Sequence, residues 1–358
     1  MKVGIDARWM VGKYRGMGKF AWQLINPVKD SSIAYVTRKQ QSSKLTTVKS
    51  GHSFFPYWEQ LVLPWLAKRH SLSHLVCPYN TAPIFLNKNT KLVVVVHDLI
   101  FMRSFKELPL SQSIYQSLGR LYRMFVVPLI INKADTIITV SEYTAEEIRR
   151  DYGDNLKVFV IPNSIPSKWL DSQVLDLKER SNYILTVAGD SPSKNLDKVI
   201  TAFSQSDTAE KMNTKLLVVG IRADGHKKYE KLIESLGMSG RVEFIDFVDE
   251  SELIKLYSYA KGFVFGSLFE GFGIPLLEAM SRGTPIACSN TTSMPEVVGN
   301  SAYLFDPKCT KSMSQNIDYI LNCNNQSRVN LGLERVKQFT EENIQCQFEK
   351  LWSKLDDK

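Results

Sequence analysis

The chain has no long apolar run. Its longest are Leu92–Val96 and Phe125–Ile131, and Pro128 sits inside the second. A membrane-crossing helix needs roughly 20 apolar residues, so none is expected. Cysteine is scarce: Cys77, Cys288, Cys309, Cys323 and Cys346 form no CxxC and no ligand spacing. An odd count without a secretion signal reads as reduced thiols, which excludes a disulfide scaffold and a zinc module. Asp6 and Arg8 interrupt the start of the chain, so no signal peptide is read there. The expectation is a cytoplasmic protein, at most peripheral on the inner face of the cytoplasmic membrane. No GxGxxG follows a strand and no acidic residue ends the second strand of either half, so NAD and FAD are unsupported. Gly12 to Gly18-Lys19 has the wrong spacing for a phosphate-binding P-loop, and Phe20 stands where Ser or Thr would be. HExxH and GxSxG are absent. So is Asp-x-Asp, which leaves a metal-bridged diphosphate without a ligand pair and the expected metal ligands at none.

What is present is an ordinary globular composition. The 358 residues are 44% hydrophobic and 23% charged, enough for about two domains. The net charge of +8 is uneven. Residues 1–165 hold 22 Lys and Arg against 11 Asp and Glu, whereas the rest hold 23 against 26. A basic half suits an anionic surface or ligand such as lipid head groups or diphosphates. Solvated surface lysines give the same balance. No nucleic-acid-binding motif accompanies it, so no nucleic acid partner is expected.

Short β-branched runs alternate with amphipathic stretches, which predicts an α/β chain of parallel sheets. Strands are expected near 2–6, 34–37, 74–77, 92–97, 136–140 and 158–161, then 183–187, 215–219, 242–245, 263–265 and 285–288. Helices are expected at 18–25, 58–69, 113–132 and 144–151, the last with a Thr144/Glu147 capping box. In the second half they fall at 195–204, 226–236, 250–260, 275–282 and 327–355. The Pro-containing stretch 161–167 reads as a linker. The expected organisation is therefore two Rossmann-like domains, 1–165 and 166–335, and a terminal helix at 336–358 returning toward the first. Ligands of such sheets sit at the carboxyl ends of the strands.

One segment there carries chemistry: Phe265-Gly-Ser-Leu-Phe-Glu-Gly-Phe-Gly-Ile-Pro-Leu-Leu-Glu. A strand ends, a loop with Gly271 and Gly273 follows, and Pro275 suits a first helical turn. Glycines before a helix start expose backbone N–H groups and make an anion site with the helix dipole. Glu270 and Glu278 flank it and can accept hydroxyl protons. A diphosphate with sugar and ribose hydroxyls matches that set. A tight turn with two solvated glutamates is the bland alternative for an isolated pair.

The Glu-x7-Glu pair within Glu-Gly-Phe-Gly-Ile-Pro-Leu-Leu-Glu-Ala-Met closely resembles the signature of glycosyltransferase family 4. Gly4-Ile-Asp-Ala-Arg8 with Arg15-Gly-Met-Gly18, Val96-His-Asp-Leu-Ile100, Thr139–Thr144, Val160–Asn163 and Lys194-Asn-Leu extend the likeness over nearly the whole chain. The resemblance implies the GT-B fold, with acceptor on the first domain and nucleotide-sugar on the second, facing a central cleft. It implies that His97, Glu270 and Lys194 form the reaction centre. Glu270 would bind sugar hydroxyls, Lys194 the phosphates and His97 the donor sugar or reaction centre. Glu278 would bind the ribose. Gly271, Phe272, Gly273, Ile274, Asn195, Gly16 and Gly18 would line the donor, and Val248 the base. Arg8, Arg15 and Asp98 would face the acceptor, Asp98 supporting its loop. One departure stands out. The family often places an Arg a few residues before the lysine, but here the loop is Gly189-Asp-Ser-Pro-Ser193. Arg8, Arg15 and Lys19 are the candidate substitutes.

The resemblance also implies a hexosyltransferase that retains anomeric configuration. It would need no cofactor beyond a GDP-, UDP- or dTDP-sugar donor. GDP-mannose is the first choice, for bacterial O-antigen or capsule assembly on a lipid-diphosphate-linked glycan. Segments 53–69 and 103–123 are candidates for acceptor or anionic membrane contact. A soluble sugar or protein acceptor, and a non-catalytic nucleotide-sugar-binding subunit, are the alternatives.

Overall fold

The computed structural model describes residues 1–12, 16–40, 44–109, 114–170, 173–189, 191–322 and 324–356. The chain forms two compact units. The first takes in Met1–Ser104, Leu110–Ser164 and Glu341–Lys358, the second Phe105–Pro109 and Ile165–Thr340. The exchange points thus lie at 164/165 and 340/341, and nothing in the sequence marks Phe105–Pro109 as part of the second unit.

The first unit is built on β1 (Val3–Asp6), β2 (Ser32–Thr37), β3 (Thr46–Ser50), β4 (His74–Cys77), β5 (Lys91–Val96), β6 (Thr136–Thr139) and β7 (Val158–Val160). All pair in parallel, in the order β3-β2-β1-β4-β5-β6-β7. Buried on both faces, β5 is a run of Leu and Val rather than an alternating strand. The edge strand β3 (Thr-Thr-Val-Lys-Ser) is half exposed and was not expected from its polar sequence. Helix Glu341–Asp356 packs on helix Gly16–Ile25 in this unit. The Trp352 indole donates to the Leu24 carbonyl at 2.6 Å, and Phe348 meets Phe20 edge-on at 5.2 Å.

The second unit contains β8 (Ser181–Val187), β9 (Lys215–Val219), β10 (Val242–Ile245), β11 (Ala260–Phe265), β12 (Ile286–Ser289) and β13 (Ala302–Phe305). Their order is β10-β9-β8-β11-β12-β13, again all parallel. In each sheet the chain direction of growth reverses once, between β1 and β4 and between β8 and β11. That reversal opens a crevice at the carboxyl ends of the two central strands.

Three expectations need correction. The helix over 327–355 is two helices, Gln326–Val336 and Glu341–Asp356, parted by a 3-10 turn at Lys337–Phe339 and extended Thr340. Phe339 is buried against Phe272, 5.7 Å between rings, and Thr340 bridges Ile165, so tertiary contacts break the helix at 337–340, where no Pro or Gly marks the stop. The Thr144/Glu147 box does not form. Ser141 caps the helix Glu142–Tyr152, its side chain accepting the Thr144 N–H at 3.2 Å, while Glu147 pairs with Arg103. The helix expected from Trp58 begins at Phe55 and widens into a π-helical turn at Trp58–Val62 before Leu63–Arg69.

Candidate active site

In the second unit, the loops after β8 and β11 meet because those strands are neighbours. The Lys194 Nζ lies 2.6 Å from Glu270 Oε1, and 5.4 Å from the centre of the Phe265 ring. The pair is only partly covered: 27% of the lysine side chain and 16% of the glutamate remain accessible. Lys194 ends a 3-10 turn, Pro192–Lys194, and Asn195 in left-handed backbone opens the helix Leu196–Ser204. Asn195 is buried. Its amide nitrogen donates to the Gly266 carbonyl at 3.0 Å and the Pro307 carbonyl at 2.8 Å, so that group braces the two loops. The Leu268 N–H adds a bond to the Ser193 carbonyl at 2.8 Å.

The β11 loop is held from its other side by Thr291, Thr292 and Ser293. The Thr291 hydroxyl donates to Leu268 O at 3.2 Å, and Thr292 Oγ1 accepts the Glu270 N–H at 3.3 Å. Ser293 Oγ lies 3.0 Å from Glu270 O and 2.9 Å from Phe272 O, so one proton serves two carbonyls. Thr292 adopts φ +55°, a conformation that costs a β-branched residue and is kept by these bonds. Nothing beyond a polar turn composition marks this three-residue clamp in the sequence.

Gly273 then caps the helix Ile274–Ser281 with φ +109°. A side chain there would need a rarely populated backbone, and its Cβ would stand 3.0 Å from Leu276 Cδ1. Helix starts leave their first N–H groups without intrahelical partners, and Pro275 removes one of them. Gly271 and Ile274 are half-buried, while the Phe272 ring points into the core. Glu278 is half-buried on the same helix beside Tyr257, whose hydroxyl is pushed well up by burial and then by the Glu278 charge. Val248 follows β10, the edge strand, which lies three strand spacings from β11, about 14 Å.

The first unit gathers a second polar group at its own reversal. Arg8 forks onto Asp6 at the end of β1, Nη2 to Oδ2 at 2.6 Å and Nε to Oδ1 at 2.9 Å. Its guanidinium stands 4.7 Å over the Phe55 ring. It is spent internally, which removes it as a substitute phosphate cation. Arg15, the other arginine expected to help, lies outside the described residues. His97 follows β5 and is buried. Its Nε2 is 3.0 Å from Pro78 O, its backbone N–H donates to Asn80 Oδ1 at 2.6 Å, and Phe20 meets the ring edge-on at 5.2 Å. Burial pushes the imidazole down to about 4, against a smaller upward pull from the Pro78 carbonyl, so the ring is neutral. Asp98 accepts the Ile100 N–H at 3.1 Å and so shapes its own loop. Gly16 and Gly18 lie in the first turn of their helix.

Sequence reasoning missed Glu59. It sits in the π-helical turn, buried, and accepts from Thr81 Oγ1 at 2.5 Å, Tyr122 OH at 2.8 Å and Gln60 Nε2 at 3.0 Å. Burial raises its carboxyl to about 7, opposed by those donors and by Arg8. A Glu in an aromatic-rich helix reads as surface charge from sequence alone.

Two family models match the chain. Residues 41–169 match Glycosyltransferase Family 4, and residues 167–337 match Glycosyl transferases group 1. O-antigen chain mannosyltransferase B from Escherichia coli is 30% identical over 230 residues, 61% of this chain and 60% of that protein. The match therefore spans about three-fifths of that relative's length. O-antigen chain mannosyltransferase RfbU from Salmonella typhimurium is 29% identical over 262 residues, 72% of this chain and 68% of the relative. The solved structure of Anabaena Alr3699/HepE in complex with UDP superposes with a TM-score of 0.75 at 17% identity, covering 99% of this chain and 100% of that one.

Proposed function

The chain belongs to glycosyltransferase family 4 and has the GT-B fold, and we propose that it is a retaining hexosyltransferase of bacterial surface-polysaccharide assembly. The donor in this reading is GDP-mannose, and the acceptor is a lipid-diphosphate-linked glycan of O-antigen or capsule type. The proposal rests on one observation: Lys194 and Glu270 form a half-open ion pair at the β8/β11 reversal, beside a glycine-capped helix that carries Glu278. The O-antigen mannosyltransferase names of the two relatives support the choice of sugar and pathway.

In the proposed reaction the bond between the anomeric carbon and the diphosphate oxygen breaks as the acceptor oxygen bonds to the same carbon on the same face. The acceptor proton passes to the leaving phosphate. Lys194 and the N–H groups at the Gly273 turn neutralise the departing charge. Glu270 accepts sugar hydroxyls, and Glu278 those of the ribose. His97, neutral and with one ring nitrogen on Pro78, orients rather than exchanges a proton. Catalysis in this scheme is positioning and fixed electrostatics, with no metal or added cofactor called for.

The first test is thermal stabilisation by GDP, UDP, dTDP and CDP, with Glu278→Ala as the control. A ligand that binds only the folded state raises the melting point by mass action. A shift with one nucleotide, weakened in Glu278→Ala, identifies the donor base. No shift with any of them would overturn the donor site. Slow donor hydrolysis without acceptor separates an enzyme from a nucleotide-sugar-binding subunit, which would show none.

A further inference from the structure

Two helices of the first unit leave apolar faces open to solvent. Along Ile114–Ile131, the residues Ile114, Leu118, Leu121, Phe125 and Leu129 recur at helical spacing and are all exposed, Phe125 by 67%. On the segment 55–69, Tyr57, Leu61 and Trp65 form a second exposed stripe, and Phe85 stands nearby at 77% exposure. The two faces are neighbours. Tyr122 of the first helix bonds Glu59 at 2.8 Å and meets Phe55 edge-on at 5.3 Å, while Lys133 Nζ reaches the Ile84 carbonyl at 3.1 Å and lies over Phe85. Isolated exposed apolar residues are normal, but a contiguous patch of this kind marks a contact surface.

The charge around the patch identifies its occupant. Within 53–70, 84–89 and 114–133 the only acidic residue is Glu59, and Glu59 is buried. The same segments carry exposed Lys68, Arg69, Lys88 and Lys133. Arg69 stacks over Trp65 at 5.0 Å, which keeps a cation beside an aromatic ring of the stripe. Apolar and aromatic side chains rimmed by cations, with no exposed carboxylate in those segments, suit the boundary of an anionic bilayer. No helix among the described residues is long and apolar enough to cross a membrane, so this face would lie on it.

The geometry points to an anionic-lipid docking face on the first unit, formed by the exposed stripes of 114–131 and 57–65 with Phe85. The inference deepens the lipid-linked acceptor reading by saying which side of the acceptor-binding unit rests on the bilayer. Its test needs neither donor nor acceptor, so it can fail while the sugar-transfer reading stands, and the reverse.

The full chain is sedimented with phosphatidylcholine vesicles with and without phosphatidylglycerol, at low and high salt. It should pellet with the anionic vesicles, weakly with the neutral ones, and less as salt rises. Leu118→Ser with Phe125→Ser should weaken binding at least about tenfold, since buried apolar area drives insertion. Lys68→Gln with Lys88→Gln should weaken it by roughly fivefold per cation. All four positions are solvent-exposed, and circular dichroism melts report that each variant is folded. Failure to pellet with anionic vesicles overturns the inference. So does binding that the Leu118 and Phe125 changes leave intact. Light scattering that shows a dimer dissolved by those same changes would assign the face to a second copy of the chain instead.

Discussion

Lys194 and Glu270 make opposite predictions, and the opposition separates a donor site from a structural brace. In the free protein the ammonium rests 2.6 Å from Glu270 and both side chains are partly wet. A diphosphate reaching Lys194 gains a charge-assisted hydrogen bond, about 1.5–3 kcal/mol. It displaces an exposed pair worth about 0.2–1 kcal/mol. The net, about 0.5–2.8 kcal/mol, means that Lys194→Met should weaken nucleoside diphosphate binding by about 2- to 100-fold. The nucleoside monophosphate should lose less, because it lacks the second phosphate. Glu270→Gln removes a competitor and a like charge, so diphosphate binding should hold or tighten by up to about fivefold. Sugar transfer in the same variant should fall by roughly 10- to 100-fold, because a charged acceptor for the sugar hydroxyls is gone. Titration calorimetry of both variants with mono- and diphosphates reads these signs directly. If Lys194→Met binds the diphosphate normally, or Glu270→Gln weakens it as Lys194→Met does, the pair only fastens two loops and the assignment fails.

Three further outcomes follow from the buried polar groups. His97 titrates near 4 when folded and near 6.5 when unfolded, so its neutral form stabilises the fold above about pH 6.5. That contribution, on the order of 3 kcal/mol, is lost as pH falls toward about 4, and urea melts of His97→Gln should show a shallower acid limb. Glu59 has the opposite sign: raised to about 7, it makes the unfolded chain ionise first, so stability falls as pH climbs from about 4.5 to 7. Glu59→Gln should flatten that decline between about pH 4.5 and 7, and an unchanged slope in the same melts would refute it. Asn195→Ala should cost about 1–3 kcal/mol, because two buried carbonyls lose their donor, and a melting point within a degree of wild type would deny its bracing role.

Local pattern carried most of the fold. The strand β5 and the Phe263–Phe265 end of β11 were legible because burial on both faces demands runs of Val, Leu and Phe. Edge strands β3 and β13 were not: one is polar, and the other, Ala-Tyr-Leu-Phe, is too short to signal a period. The break at 337–340 escaped because its cause is Phe339 seated on Phe272, a contact 67 positions away that leaves no local mark. For the site, Glu270, Glu278 and Lys194 stood out through a dense motif. The residues that hold them did not, since Asn195, Thr292 and Ser293 act through backbone carbonyls and N–H groups, which any polar turn offers. Arg8 misled for the converse reason: its partner Asp6 is two residues away in sequence, yet a pair at that spacing on a strand end looks free until the fork is seen.

The two reversal points share a topology but differ in electrostatic state, and that difference favours the second as the place for a phosphate. At the β1/β4 reversal the Arg8 guanidinium and the Asp6 carboxylate are 8% and 4% accessible, with Glu59 behind them. An anion arriving there would have to break a buried bidentate pair and leave Asp6 unpaired, a penalty of about 3–5 kcal/mol before any gain. At the β8/β11 reversal the ammonium of Lys194 is still partly hydrated and its partner is replaceable at less than about 1 kcal/mol. The same crevice geometry thus yields a closed ion cluster in one unit and an exchangeable cation in the other. A diphosphate would partition to the second by several kcal/mol even if both crevices were equally roomy. The family departure at Gly189–Ser193 sharpens this point. With no arginine in that loop and Arg8 locked away, the proposed donor site draws on Lys194 and backbone N–H groups in the second unit, so removal of Lys194 should be felt more than where that loop also supplies an arginine.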